Sequence, residues 1–152
     1  MIRAYSWPTP NGHKVHIMLH ECGLEHEIIP VNIGDGDQFE AEFLDISPNN
    51  RIPAIVDTDG PGGKEISIFE TGAILYYLAQ KTGMFMPDAA SDPAGHYAVM
   101  EWLMWQMGGI GPMMGQANHF RRYAPDRIEY ATNRYANETK RLFGVADTRL
   151  GK

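Results

Sequence analysis

The chain has 152 residues, 43% hydrophobic and 21% charged, with a formal net charge of −6 and a single cysteine. This composition is that of a globular chain of one domain, or of one small domain and part of another, and it excludes wholesale disorder. It also excludes an intramolecular disulfide framework and a Cys-x-x-Cys pair, and its acidic balance is the wrong sign for a nucleic-acid binder.

Residues 2–7 alternate apolar and polar, which predicts a first strand. No signal-peptide pattern precedes it and no apolar run reaches the roughly 18 residues of a membrane helix, so no membrane association and a reducing, cytoplasmic compartment are expected. Thr9 suits an N-cap and Pro10 the first helical position, where its missing N–H costs nothing. A helix should follow, with Val15, Met18, Leu19 and Cys22 on one stripe and Gly23 just past its end. Residues 26–31 read as a second strand, and Pro30 makes it short or an edge. Residues 32–50 are polar and turn-rich, with a short helix near Ala41–Asp45. Residues 53–57 and 65–69 form two strands joined by the turn Asp59-Gly60-Pro61-Gly62-Gly63, and a helix spans about Thr71–Gly83 with Ile74, Leu75 and Leu78 on one face. The order β-α-β-α-β-β-α within about 85 residues is an α/β, thioredoxin-like layout with a mixed sheet.

Residues 87–93, bounded by Pro87 and Pro93, read as a linker between a first domain, 1–86, and an all-α region, 94–152. Tyr97, Met100, Met104 and Met107 form one helical stripe, with Trp102 and Trp105 elsewhere on the same helix, the pattern of a core or an interface. Residues 107–112 should bend or interrupt that helix, and a last helix is expected over about Asp126–Leu150. Charge is uneven: residues 1–118 carry 5 Lys/Arg against 15 Asp/Glu, and residues 119–152 carry 8 against 4. That pattern fits two helix surfaces of different sign, or a basic face for an anionic ligand or an acidic partner subunit.

Four blocks, residues 8–14 (Pro-Thr-Pro-Asn-Gly-His-Lys), 46–55 (Ile-Ser-Pro-Asn-Asn-Arg-Ile-Pro-Ala-Ile), 68–74 (Ile-Phe-Glu-Thr-Gly-Ala-Ile) and 106–113 (Gln-Met-Gly-Gly-Ile-Gly-Pro-Met), together resemble the glutathione transferases. The resemblance is to the bacterial Nu-class and yeast-prion-regulator-like branch, whose members reduce disulfides with glutathione. It implies a thioredoxin-like glutathione-binding domain followed by a helical domain. That domain normally has about five or more helices, whereas residues 94–152 have room for about two, so the second domain reads as incomplete.

Glutathione must be held extended and its thiol ionised. Read from residues alone, Thr9 is a cap and Asn11 a first-turn residue; the resemblance implies that both are catalytic, adding donors to a helix start that already favours an anion. It also implies a cis bond at Ile52-Pro53, which would turn the Ile52 backbone outward to pair with the cysteinyl backbone of glutathione. Glu70 and Thr71, at the junction of strand four and helix three, would hold the γ-glutamyl ammonium and carboxylate, with Gln38 and Arg51 on the same cleft. Arg134 would reach the glutathione of the other subunit in a homodimer. No serine, cysteine or tyrosine stands in the usual thiol-contacting position. Cys22 reads as a small buried hydrophobe, and His13, His16 and His20 as a solvated face without a convincing metal site.

The expected function is glutathione-dependent thiol–disulfide reduction with weak transferase activity, glutathione being the co-substrate and no metal being needed. The expected partners are glutathione or glutathione disulfide and a small disulfide or electrophile. Ordinary conjugation and a non-catalytic glutathione-binding or assembly module are the alternatives.

Overall fold

The computed structural model describes residues 1–151. The chain forms two compact units, Met1–Tyr97 and the part from Ala98 onward. In the first unit β1 (Ile2–Ser6), α1 (Pro10–Glu21), β2 (His26–Pro30), α2 (Ala41–Ile46), β3 (Ala54–Asp57), β4 (Ile66–Phe69) and α3 (Thr71–Thr82) follow in the expected order. The sheet order is β2-β1-β3-β4. β1 is parallel to β2 and antiparallel to β3, and β4 is antiparallel to β3. The strand containing Pro30 is thus an edge, where a missing ladder donor is tolerated.

Strand alternation builds a layer on each face of the sheet. On one face Ile2, Ala4 and Ile55 bury against Val15 and Leu19 of α1 and Ile74 and Leu78 of α3. On the other, Ala54 and Val31 bury against Phe43 of α2, with Tyr5 and Ile52 beside them. Leu75, expected on the buried face of α3, is only half-buried. α1 ends as its sequence implies, with Gly23 in the left-handed region at φ 62°. The turn between β3 and β4 needs glycine at both Gly62 and Gly63, whose φ values are 69° and 72°.

One buried ion pair ties the end of β3 to α3. The Asp57 side chain is buried, and its Oδ2 accepts from the Tyr77 hydroxyl at 2.6 Å and lies 2.8 Å from the Lys81 ammonium. The Asp59 N–H donates to its Oδ1 at 2.9 Å. Burial pushes the Asp57 carboxyl up, but the bonds from Lys81, Tyr77 and Asp59 outweigh it and hold the group below the usual carboxylate range.

α4 (Pro93–Trp105) starts in the first unit, where Asp92 caps it by accepting from the Gly95 N–H at 2.9 Å, and continues into the second. The expected interruption at residues 107–112 is a π-helical segment, Gln106–Ile110, closed by the Gly111 N–H donating to the Gln106 carbonyl. α5 (Gly111–Arg122) then runs on with Pro112 in its first turn, where no N–H is required. The expectation of about two helices is therefore corrected to three, because a π segment widens the helix without ending it. α6 (Glu129–Leu150) starts three residues after the expected Asp126 and leaves Ile128 outside it, 48% exposed. Leu142 is buried in this unit, and Phe120 stacks on Tyr135 with ring centroids 5.5 Å apart. Among the described residues no helix is long and apolar enough to cross a membrane.

Because the folded-state pKa of Asp57 is depressed, its contribution to stability is present above the unfolded value of about 3.9 and is lost as pH falls through the folded value. Tyr77→Phe, which removes one hydrogen bond to that carboxylate, is expected to cost about 1–2 kcal/mol at about pH 7. Its deficit against the unsubstituted chain should shrink as the pH is lowered below about 4. Urea denaturation at both pH values checks this; an equal deficit at both would place the tyrosine's contribution elsewhere.

Candidate functional site

Strand direction decides where the candidate residues meet. Tyr5, Ala54 and Phe69 pair across β1, β3 and β4 in one row. β1 and β4 run toward that row and β3 runs away from it, so the turn into α1, the approach to β3 and the turn into α3 all lie at one sheet end. β2 finishes there too, with Pro30 opposite Ser6. Thr9, Asn11, Arg51, Ile52, Pro53, Glu70 and Thr71 are thereby brought to this end. Gln38 lies on the segment that leaves it at Val31.

At α1, Thr9 is the N-cap, its hydroxyl oxygen accepting from the Gly12 N–H at 3.2 Å. The His13 N–H donates to the Thr9 carbonyl at 3.0 Å. Pro10 has no N–H, so in this first turn only the Asn11 N–H lacks a partner among the described residues. The exposed Asn11 side chain accepts from the Lys14 ammonium through Oδ1 at 2.9 Å. Partial burial pushes the Lys14 ammonium below the ordinary lysine value. Gly12 is buried, and a Cβ there would lie 2.5 Å from both Ser6 Oγ and the Trp7 carbonyl oxygen.

The approach to β3 carries the expected cis bond at Ile52-Pro53. Buried Ser47 tethers this loop by donating from its hydroxyl to the Arg51 carbonyl at 2.9 Å. The Ile52 N–H and carbonyl have no hydrogen-bond partner among the described residues. The Arg51 side chain is exposed and makes no ion pair among them.

At α3, Glu70 has φ 73° and ψ 119°, a conformation that L residues rarely adopt. Its carbonyl accepts from the Ile74 N–H at 2.9 Å, and its side chain provides no cap. The N–H groups of Thr71, Gly72 and Ala73 are left unpaired among the described residues, a start suited to a carboxylate. Asn49 donates from Nδ2 to Glu70 Oε1 at 3.3 Å, linking two of the three loops. The Gln38 Nε2 makes only a long contact of 3.5 Å to the Ile33 carbonyl, and its Oε1 is buried without a partner.

Arg134 belongs to the second unit. It is exposed on α6 and lines an open cleft of about 730 Å³ with Tyr130, Asn133, Asn137 and Arg141. Cys22 sits at the far end of α1, half-buried, with Sγ 3.6 Å from the Thr82 hydroxyl. His13 lies 6.1 Å from His16, and His20 lies 4.8 Å from His26, centroid to centroid. Burial and then the neighbouring imidazoles lower the His16 pKa. Lys14 and Asn49 give no signal in the sequence beyond their places in the first two motif blocks: the Asn49 contact joins residues 21 positions apart, and an i,i+3 polar pair such as Lys14 and Asn11 is common on exposed helix faces.

Residues 1–80 match the family described as "Glutathione S-transferase, N-terminal domain". The disulfide-bond oxidoreductase YfcG of Escherichia coli (strain K12) is 52% identical over 151 residues, covering 99% of this chain and 69% of that protein. The chain belongs to the glutathione S-transferase family. Its first unit is the family's thioredoxin-like domain, and a helical region follows. A solved glutathione transferase family member from Pseudomonas fluorescens, with two glutathione bound, is similar at a TM-score of 0.93 and 49% identity, over 99% of this chain and 66% of that one. A glutathione transferase from Pseudomonas putida, with one glutathione disulfide bound per subunit, gives 0.92 and 49% over 99% and 65%. The chain thus spans about two thirds of the length of these relatives.

Gly12→Ala forces its methyl group against backbone and a buried hydroxyl at once. It is expected to cost about 2–3 kcal/mol in chemical denaturation, whereas Gly115→Ala, where a Cβ meets nothing within 4 Å, should be neutral or stabilising. Equal effects at the two positions would remove the close approach of α1 to the end of β1 as a constraint.

Proposed function

We propose that the chain is a glutathione-dependent thiol–disulfide reductase with weak transferase activity on electrophiles. The observation that carries this reading is the start of α1, where one unpaired backbone N–H and one exposed amide both belong to Asn11, beside the Thr9 hydroxyl. Support comes from the 52% identity to a disulfide-bond oxidoreductase and from similar chains that hold glutathione or its disulfide. No cysteine stands at that helix start, so both reacting sulfurs belong to the small molecules.

In this reading Thr9 and Asn11 stabilise the glutathione thiolate, raising its reactive fraction. The thiolate attacks one sulfur of a substrate disulfide; the S–S bond breaks, and the departing thiolate takes up a proton. A second glutathione thiolate then displaces the other substrate thiol from the mixed disulfide and leaves glutathione disulfide, so two thiols are oxidised as one disulfide is reduced. Ile52 offers its free backbone groups to the cysteinyl segment beside Pro53. The unpaired amides of α3 and the Thr71 hydroxyl take the γ-glutamyl carboxylate, Glu70 takes its ammonium, and Gln38 and Arg51 flank the tripeptide. We further propose domain limits of 1–86 and 94–152 with a linker at 87–93, a cytoplasmic homodimer, and a place for Arg134 at the partner's glutathione. The basic balance of residues 119–152 against the acidic remainder favours such pairing.

Thr71→Ala and Glu70→Gln are each expected to weaken glutathione binding by about 1–3 kcal/mol in calorimetry; unchanged affinity in both would sink the assigned site. The Thr9→Ala/Asn11→Ala double variant should lose rate more than affinity, since its contacts strengthen as charge develops on sulfur. Turnover of a model disulfide and of a model aryl halide, measured side by side, reads this. An unaltered rate on both would leave the two residues as helix-start residues only.

A further inference from the structure

The start of α1 reverses the usual electrostatics of a helix. Acidic side chains favour the first turn, where the dipole is positive, and cations disfavour it. α1 has no acidic residue in its first turn. Instead Lys14 folds back along the helix, and its ammonium reaches Asn11 Oδ1 at 2.9 Å, adding a positive charge to an end that is already positive. The lysine is half-buried, and burial lowers its pKa, so the ammonium is held there at a solvation cost with no carboxylate to pair it.

The contact also fixes which way the Asn11 amide faces. An ammonium has donors only, so the atom it meets must be the amide oxygen. With Oδ1 committed to Lys14, the amide NH2 is the free end, and a charge-assisted bond to the oxygen polarises the amide and makes that NH2 a stronger donor.

Resting on the reading of this helix start as the thiolate site, we infer that Lys14 is a positioning residue for the glutathione sulfur. It holds the Asn11 side chain with its NH2 presented outward beside the unpaired Asn11 N–H, and it supplies the net positive charge that the site's neutral donors lack. The role separates from simple helix stabilisation by sign. Removing a cation from this end should leave the helix as stable or more stable, while weakening its hold on an anion.

The test uses the full chain with Lys14→Met and Lys14→Arg, and reads the ultraviolet absorbance of the thiolate of bound glutathione against pH. In Lys14→Met the bound thiol should titrate roughly one unit higher than in the unsubstituted chain. The kcat/KM for disulfide reduction near neutral pH should fall about tenfold, with KM moving by less than about twofold. The thermal midpoint should hold or rise. Lys14→Arg, which keeps both donor and charge, should restore most of the rate and the low titration. A lowered thiol titration in the unsubstituted chain that Lys14→Met retains would overturn the inference alone. A loss of rate that tracks a falling thermal midpoint and is not rescued by arginine would also overturn it. A bound thiol that titrates like free glutathione in the unsubstituted chain would overturn the reading of the site, and the role of Lys14 with it.

Discussion

The register of β1 against β3 and of β3 against β4 is the constraint on which the candidate site depends. Because Tyr5, Ala54 and Phe69 share a row, a turn, a cis-proline approach and a helix start emerge together at one sheet end. The side-chain period of a strand is two, so a slip by one residue in β3 would exchange its faces. Ile55 would then leave the layer under α1 and α3, and Ala54 would leave the layer under α2. Burial on both faces therefore fixes the site's geometry, although none of the core residues carries chemistry.

Within that frame the two helix starts are finished differently. α1 is almost fully capped: Thr9 takes two N–H groups, Pro10 removes a third, and one remains. α3 is left open, with three unpaired N–H groups and a residue in a rare backbone conformation ahead of it. A single directed donor suits a single sulfur, whereas an open turn of amides suits a two-oxygen carboxylate. The uncommon φ of Glu70 persists because the loops around it determine it, through the Ile74 bond to its carbonyl and the Asn49 bond to its side chain.

The second unit follows another logic. Two of its three helices, α4 and α5, run on through a π segment, so the glycine-rich stretch does not part them. Gly109 lies in that segment, and a Cβ there would come within 3.4 Å of Leu142, the buried anchor of α6. Most other large side chains of this unit are half-buried or exposed, and its clefts are open ones between neighbouring helices.

The sequence by itself determined the order of the first seven elements, the edge position of the strand with Pro30, the Thr9 cap and the Gly23 stop. These follow from local rules: side-chain period, missing donors and φ preferences act over a few residues. The motif blocks added the cis bond at Pro53 and the family. The sequence did not reveal α5, because it follows a Gly-Gly-Ile-Gly-Pro run that reads as a break. Only the tertiary structure decided that Asp57 is buried with Tyr77 and Lys81 and that Asn49 meets Glu70 across 21 positions. Each of those contacts joins polar residues whose types and spacing are common in solvent-exposed turns. They acquire partners because β3 packs against α3 and because the strand register sets the loop before β3 beside the start of α3, and pairwise polar contacts of that kind leave no periodic trace in a sequence.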